Sequence, residues 1–322
     1  MKTSLNIPPR IKALLKAVSP SHRQIRAATE LLSTTALGPS DVNDLLFDKI
    51  IAGEGFFLGR PGGTESEGLK HFTRVRLNPG NLGRIKPYSA FFKQYSTMYS
   101  GVDWKSEEDL DYFCYLYLSA ALSADVLAYG EFAPGSIGLA LTRSRIGLNV
   151  VDLTSYDPWL NLVQNQRPWT AALADKKVLV VHPFEKTLRN QFAKRAKISG
   201  VRDLLPEFSL DVLKPPVTLT PSPEGKTWRD HMEKLSAEML HRDFDVAIVG
   251  AGSYGLPLCH TIAASGRPAV HLAGSTQLLF GIAGKRWLSG HTVSPFIDDT
   301  WVSPDPEDVL PGVEKIEGGS YS

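Results

Sequence analysis

Gly250, Gly252 and Gly255 follow the apolar run Val246-Ala247-Ile248-Val249 and precede a stretch of helical character. That is the spacing of a phosphate-binding turn placed between a strand and a helix. Glycine lets the main chain turn with positive φ and lets a phosphate come close to it. A helix starting at such a turn adds unpaired N–H groups and the positive end of its dipole. Ser253 and Tyr254 lie inside the turn, and the Ser253 hydroxyl is a further hydrogen-bonding group. The structural alternative is a tight strand-to-helix turn that binds nothing.

The next apolar run narrows the ligand class. A nicotinamide dinucleotide site places an acid about twenty residues after the glycines to hold the ribose. Here that position reads His271-Leu272-Ala273-Gly274, with no acid, and Arg267 precedes the run. This argues against a standard dehydrogenase. It leaves open a nucleotide diphosphate held by backbone amides and a histidine.

These residues need elements to position them. Apolar runs bounded by turn residues read as buried strands at Gly55–Gly59, Ala124–Tyr129, Leu148–Leu153, Lys177–Val181, Phe208–Leu213, Val246–Val249 and Ala269–Leu272. Helical segments are expected at 88–102, 106–123, 185–197, 227–241 and 255–264, with a short helix after Gln277. Thr64 or Ser66 is the expected cap of a helix running through Leu69. The Tyr- and Phe-rich stretch Asp111–Leu118 reads as core. Strands alternating with helices imply an α/β, Rossmann-like, mostly parallel sheet with helices on both faces. Such sheets bind ligands beyond the carboxyl ends of their strands. Arg60–Glu65, His182-Pro183-Phe184, Gly250–Gly255 and the His271–Gln277 stretch, including Gly274 and Thr276, each follow an expected strand, so one crevice can collect them.

The expected organisation is a helical N-terminal extension over 1–48, an α/β domain over 49–295 with its nucleotide-binding part near 175–290, and a peripheral tail over 296–322. Ile11, Leu14, Leu15 and Val18, interleaved with Arg10, Lys12 and Lys16, form a basic amphipathic stretch. It suits packing on the domain or a second subunit, or contact with an anionic membrane face. Lys214–Glu224, rich in proline and hydroxyl residues, reads as an exposed loop.

The stretch FDVAIVGAGSYGLPLCHTIAASGRPAVHLAGSTQLLFGIAGKRW, from Phe244 to Trp287, resembles a group of bacterial polysaccharide-cluster proteins and, more distantly, glycosyltransferases of the GT-D fold. LGRPGGTESEGL at Leu58–Leu69, PWTAAL at Pro168–Leu173 and KKVLVVHPF at Lys176–Phe184 add to the resemblance, which spans roughly residues 50 to 290. It implies a GT-D-like domain, a nucleotide-sugar donor of UDP type, and contacts to the nucleotide from Gly250–Gly255 and from His271–Gly274. Those enzymes carry an Arg-aromatic-Gly-Asp-Gly-Glu stretch after the first strand, whose Asp-x-Glu holds a divalent metal. The matching positions here are Arg60, Pro61, Gly62, Gly63, Thr64 and Glu65. The glutamate is kept and the aspartate is Gly63, which leaves metal dependence open, because one carboxylate makes a poor Mg²⁺ or Mn²⁺ site. If metal is absent, Arg60, Lys285, Arg286 and the amides of the glycine turn are the candidates to neutralise a leaving diphosphate. Glu65 is the first candidate for general base, with His182, Asp152 and Asp157 as alternatives.

Composition bounds the rest. At 322 residues, 43% hydrophobic and 21% charged, the chain has the balance of an ordinary globular protein. A net charge of +1 provides no bulk field toward nucleic acid. Two cysteines, Cys114 and Cys259, support neither a metal cluster nor a disulfide framework. No apolar run of membrane-spanning length and no leader pattern is read, so a cytoplasmic protein, at most resting on the inner membrane face, is expected. The leading expectation is sugar transfer from a nucleotide donor to a glycan or lipid-linked acceptor. The alternatives are an NAD(P)-dependent oxidoreductase and a non-catalytic nucleotide-binding partner in a biosynthetic complex.

Overall fold

In the computed structural model, which describes residues 36–72, 75–76, 88–129, 149–216, 225–288 and 292–309, the apolar runs become seven strands. They are β1 (Phe56–Gly59), β2 (Val126–Tyr129), β3 (Asn149–Asp152), β4 (Lys177–Val181), β5 (Ser209–Leu213), β6 (Val246–Val249) and β7 (Pro268–His271). They form one sheet in the order β3-β2-β1-β7-β6-β4-β5. Every pairing is parallel, so the sheet is wholly rather than mostly parallel. Burial on both faces explains why the strands read as continuous rather than alternating runs: β6 is buried at all four positions.

Side chains of successive strand residues enter two separate cores. Phe57, Leu127, Leu179, Val181, Ala247 and Val249 join one. Phe56, Leu58, Val126, Val178, Val180, Val246 and Ile248 join the other. This is the period-two alternation of a strand. The first core is covered by α2 (Gly63–Phe72), α3 (Ala90–Ser100), α4 (Glu107–Ser123), α8 (Trp228–Leu240) and α9 (Gly255–Ala264). The second is covered by α1 (Pro39–Ala52), α5 (Pro158–Val163), α6 (Glu185–Lys194) and α7 (Val201–Leu204). Connections β1→β2, β5→β6 and β6→β7 run one way along the sheet with helices on the first face. Connections β3→β4 and β4→β5 run the other way with helices on the second. All therefore share one hand, as βαβ crossovers do.

Neighbouring strands consequently send the chain to opposite faces. β1 and β6 lead to the first face. β4 leads to α6 on the second, and β7 leads to the 3-10 helix Ala273–Phe280, whose Leu278, Leu279 and Phe280 join the second core. In the sheet these four lie side by side as β1-β7-β6-β4. Register keeps their ends level: Val181 pairs with Val249, and Val249 with His271. A crevice at the carboxyl edge follows from this divergence.

Several expectations shift. The helix after β1 starts at Gly63, so Thr64 and Ser66 lie inside it and neither caps it. The Gly62 carbonyl takes the Ser66 N–H at 2.9 Å, and glycine is tolerated at a cap. β7 runs from Pro268 to His271, one residue earlier than expected, because proline can occupy the first strand position. The segment from Ala273 to Gln277 is itself the start of the 3-10 helix rather than a loop before one. The expected boundary at 48 falls within α1, whose Val42, Leu46 and Ile50 are buried in the second core at helical spacing. The stretch after Pro295 is not wholly peripheral: Trp301 joins that core and Asp308 is buried. The Asp308 carboxylate accepts from the Thr187 N–H at 2.7 Å and from the Lys186 N–H at 3.2 Å, capping α6. The basic stretch around Ile11–Val18 and most of Lys214–Glu224 lie outside the described residues. Among the described residues no helix is long and apolar enough to cross a membrane.

Candidate nucleotide site

The three glycines of the β6–α9 turn have three different surroundings. A Cβ on Gly250 would stand 2.6 Å from the Ala273 carbonyl oxygen, 2.6 Å from Thr276 Oγ1 and 2.8 Å from the His182 ring. One on Gly255 would stand 2.2 Å from His271 Nε2. Both positions are glycine because strand ends and helix crowd against them. Gly252 is the opposite: its φ is +52°, it is exposed, and nothing lies within 4 Å of where its Cβ would be. Tight turn, open backbone and close helix–strand packing are the three glycine roles in a dinucleotide-type turn, in that order. The open middle position is the one where phosphate would meet main chain.

Ser253 and Tyr254 face the core instead. The Trp228 indole N–H donates to Ser253 Oγ at 2.9 Å, and the Tyr254 ring stacks on Trp228 at 5.2 Å. Both residues brace the turn from below.

On β7, His271 sits at the last strand position and is almost fully buried. The Arg60 backbone N–H donates to His271 Nδ1 at 3.3 Å. A neutral ring therefore carries its hydrogen on Nε2, which has no hydrogen-bond partner in the structure. Burial first, then the Arg60 charge, pull the His271 pKa down to about 3, against the Arg60 N–H bond that raises it. His182, at the end of β4, is likewise lowered to about 3 by burial, with the Asp308 charge opposing. Its Nδ1 accepts from the Phe184 N–H at 3.2 Å, again leaving the hydrogen on Nε2. Both histidines are neutral at pH 7. A pKa of about 3 makes His182 a poor general base there, whereas neutral imidazole remains a hydrogen-bond donor.

Arg60 reaches from β1 across the end of β7. Its guanidinium donates to the Leu272 carbonyl at 3.4 Å, and the Tyr156 hydroxyl, whose titration feels the Arg60 charge, donates to the His271 carbonyl at 3.1 Å. Beside Tyr156, the half-buried Asp157 caps α5 through the Trp159 N–H at 3.1 Å. Desolvation lifts its pKa to about 6, against the Trp159 bond and the Arg60 charge. Glu65 is buried in the first turn of α2, folded back so closely that a Cβ on Gly62 would lie 2.0 Å from its Oε2. The Gly62 N–H donates to Tyr117 Oη at 2.9 Å. Burial and then the Glu65 charge push the Tyr117 phenol well above its ordinary pKa.

The carboxyl edge thus brings together Arg60, Glu65, His182, Gly250, Gly252, Gly255, His271 and Thr276. Gly274 lies half-buried in the first turn of the Ala273–Phe280 helix. Lys285 is exposed in the 3-10 turn Lys285–Trp287 and makes none of the bonds that tie the cluster together; the Arg286 side chain lies outside the described residues. Asp152, an alternative base, is committed to a turn through the Thr154 N–H at 2.9 Å. Tyr117, Tyr156 and the strained Ala273 were not singled out by sequence reasoning. Ala273 holds φ +51°, unusual for a residue with a Cβ, and puts its carbonyl against Gly250. Only the aromatic stripe signals Tyr117; for Tyr156 and Ala273 the sequence carries no signal.

The divalent metal implied by the GT-D resemblance does not fit these residues. Gly63 offers no ligand, Glu65 is turned back over Gly62, and among the described residues no group of three His, Cys, Asp or Glu side chains is placed to hold an ion. In comparisons with protein-family models, curated proteins and solved structures, none matches this chain.

Proposed function

We propose that this chain is a glycosyltransferase that binds a nucleotide-sugar of UDP type and passes the sugar to a glycan or lipid-linked acceptor. The observation that carries the nucleotide part is Gly252: an exposed, positive-φ main chain at a helix start, between two glycines held tight by His182, Thr276 and His271. The amides at this turn and the start of α9 receive the diphosphate. The orphaned, fully buried Thr276 hydroxyl and His271 Nε2 stand beside it. The transferase part rests on the resemblance and on Glu65, the carboxylate kept in the first turn of α2 after β1, which serves as general base toward the acceptor hydroxyl. His182 contributes as a neutral donor.

A thermal-shift panel of UDP-, GDP-, CMP- and dTDP-sugars beside NAD and NADP tests this reading. A ligand at a hundred times its dissociation constant adds about 2.7 kcal/mol of apparent stability. A shift with one nucleotide-sugar supports the proposal and names the donor, while a shift with NAD or NADP alone overturns it. Gly63, standing where the resemblance implies an aspartate, favours a second reading as a non-catalytic nucleotide-binding partner. In that case Glu65→Gln leaves both donor affinity and biological function intact.

A further inference from the structure

We infer that Arg60, and not a divalent cation, is the counter-ion for a nucleoside diphosphate at this site. The inference rests on the nucleotide reading above and specifies how the ligand's charge is met.

Arginines elsewhere show what a matched guanidinium looks like in this fold. Arg76, Arg189, Arg195, Arg202, Arg229 and Arg242 each have a carboxylate within ion-pair distance. Arg167 and Arg267 lie over the Phe47 and Phe244 rings instead. None of the ion pairs among the described residues includes Arg60. Its guanidinium is half-buried and bonded to the Leu272 carbonyl, a neutral acceptor. The Asp157 carboxylate lies close enough to feel this charge but makes no ion pair with it. A guanidinium outside any ion pair, with part of its surface open, is complementary to an anion.

Its placement selects the anion. β7 lies between β1 and β6, and Arg60 spans from the end of β1 to Leu272, just past the end of β7. This brings it toward the β6 turn, where Gly252 exposes main chain. One side of this strand edge offers a fixed cation and the other offers amides and a helix start. β1 and β6 are two strand spacings apart, roughly 10 Å, and the Arg60 side chain covers part of that span, which leaves a diphosphate-sized gap between the two. Among the described residues of the cluster, Arg60 is the only permanent positive charge, because His182 and His271 are neutral. Gly63 removes the carboxylate that would bring a metal, and the space around it is open, with nothing within 4 Å.

Calorimetry with UDP, GDP, CDP and dTDP on the full chain, in EDTA and separately in Mn²⁺, reads this directly. The expected result is binding of one diphosphate with affinities agreeing within about threefold in the two buffers. Arg60→Gln then loses about 10- to 100-fold in EDTA, the range for a hydrogen bond to a charged group, and Arg60→Lys recovers part of it. Gly63→Asp, which the open space accommodates, acquires a Mn²⁺ dependence the parent lacks. Binding that appears only with Mn²⁺ overturns the inference and leaves the nucleotide reading standing. So does unchanged affinity in an Arg60→Gln protein whose circular dichroism is that of the parent. No diphosphate binding in either buffer by folded protein overturns the nucleotide reading and the inference with it.

Discussion

Two half-buried arginine clusters in this protein are built on opposite principles. Around α4, Arg76 donates to both Asp111 oxygens at 2.8 and 2.9 Å and to Glu107 at 2.9 Å. The Tyr88 hydroxyl donates to Asp111 at 2.6 Å, and Lys93 pairs with Glu107 at 2.5 Å. Burial raises the Glu107 pKa, yet the bonds from Lys93 and Arg76 more than offset it and leave it lowered. The network's charges are matched by opposite charges. Around Arg60 the guanidinium bonds a neutral carbonyl and makes no ion pair, His271 Nε2 and Thr276 Oγ1 are without partners, and Ala273 sits at positive φ. Unpartnered polar atoms occur elsewhere too, at Trp159 and Thr170 among others, but His271 Nε2 and Thr276 Oγ1 are the ones that flank the glycine turn.

Breaking the closed network should have the largest effect. Asp111→Ala removes the partner of a partly buried guanidinium and of the Tyr88 hydroxyl, and should destabilise the fold by about 3–5 kcal/mol. Urea denaturation reads this as a lower midpoint. Diphosphate affinity of the folded fraction should not change, and if it falls as stability falls, the two clusters are not independent.

Acid should strike the open cluster next. The histidine pKa values of about 3 lie below the ordinary 6.5, so the unfolded chain binds protons that the folded chain refuses. Stability is therefore full above pH 6.5 and is lost as pH falls toward 3. At pH 5 each histidine removes about 2 kcal/mol relative to neutral pH. Asp157 acts in the opposite sense. Its raised pKa of about 6 means the folded state takes up a proton first, and this returns roughly 1 kcal/mol at pH 5. A net loss of about 3 kcal/mol is expected. Denaturant midpoints measured from pH 4.5 to 8, with His182→Gln and His271→Gln, check it. A flat profile in the parent would show that the two rings are not buried neutral.

The glycines sharpen the contrast on a smaller scale. Gly255→Ala drives a Cβ into His271 Nε2, a buried ring with little room, and should destabilise by about 1–3 kcal/mol. Gly252→Ala meets open space and only strains φ, costing roughly 1 kcal/mol, yet it should weaken diphosphate binding more than Gly255→Ala weakens it per unit of stability lost. Arg60→Gln has the smallest expected stability effect, below about 1 kcal/mol, because among the described residues Arg60 is in no ion pair. Melting temperatures beside calorimetric affinities separate these three variants.

Much of this arrangement is legible in the residues. Buried parallel strands are short continuous apolar runs, and β4 and β6 coincide with the expected segments to the residue. Capping boxes at Ser106–Asp109 and Thr227–Asp230 mark helix starts by local hydrogen bonds. The glycine turn declares itself because spacing alone sets its geometry. Thr64 and Ser66 were misread as caps because a hydroxyl near a helix start signals a cap without saying which residue takes the position.

What the chain determines by itself is therefore local: where strands and helices lie, that the sheet is parallel, and that a phosphate-type turn follows Val249. Which distant residues meet is decided by strand order, and strand order depends on crossover direction rather than on any single segment. Only the β1-β7-β6-β4 arrangement puts Arg60 over the end of β7, sets His271 against Gly255 and brings His182 to Gly250. Tyr156, far from all of them in sequence, closes the group by donating to the His271 carbonyl. The neutrality of both histidines is likewise a tertiary property, because desolvation arises only once the surrounding strands and helices have packed around each ring.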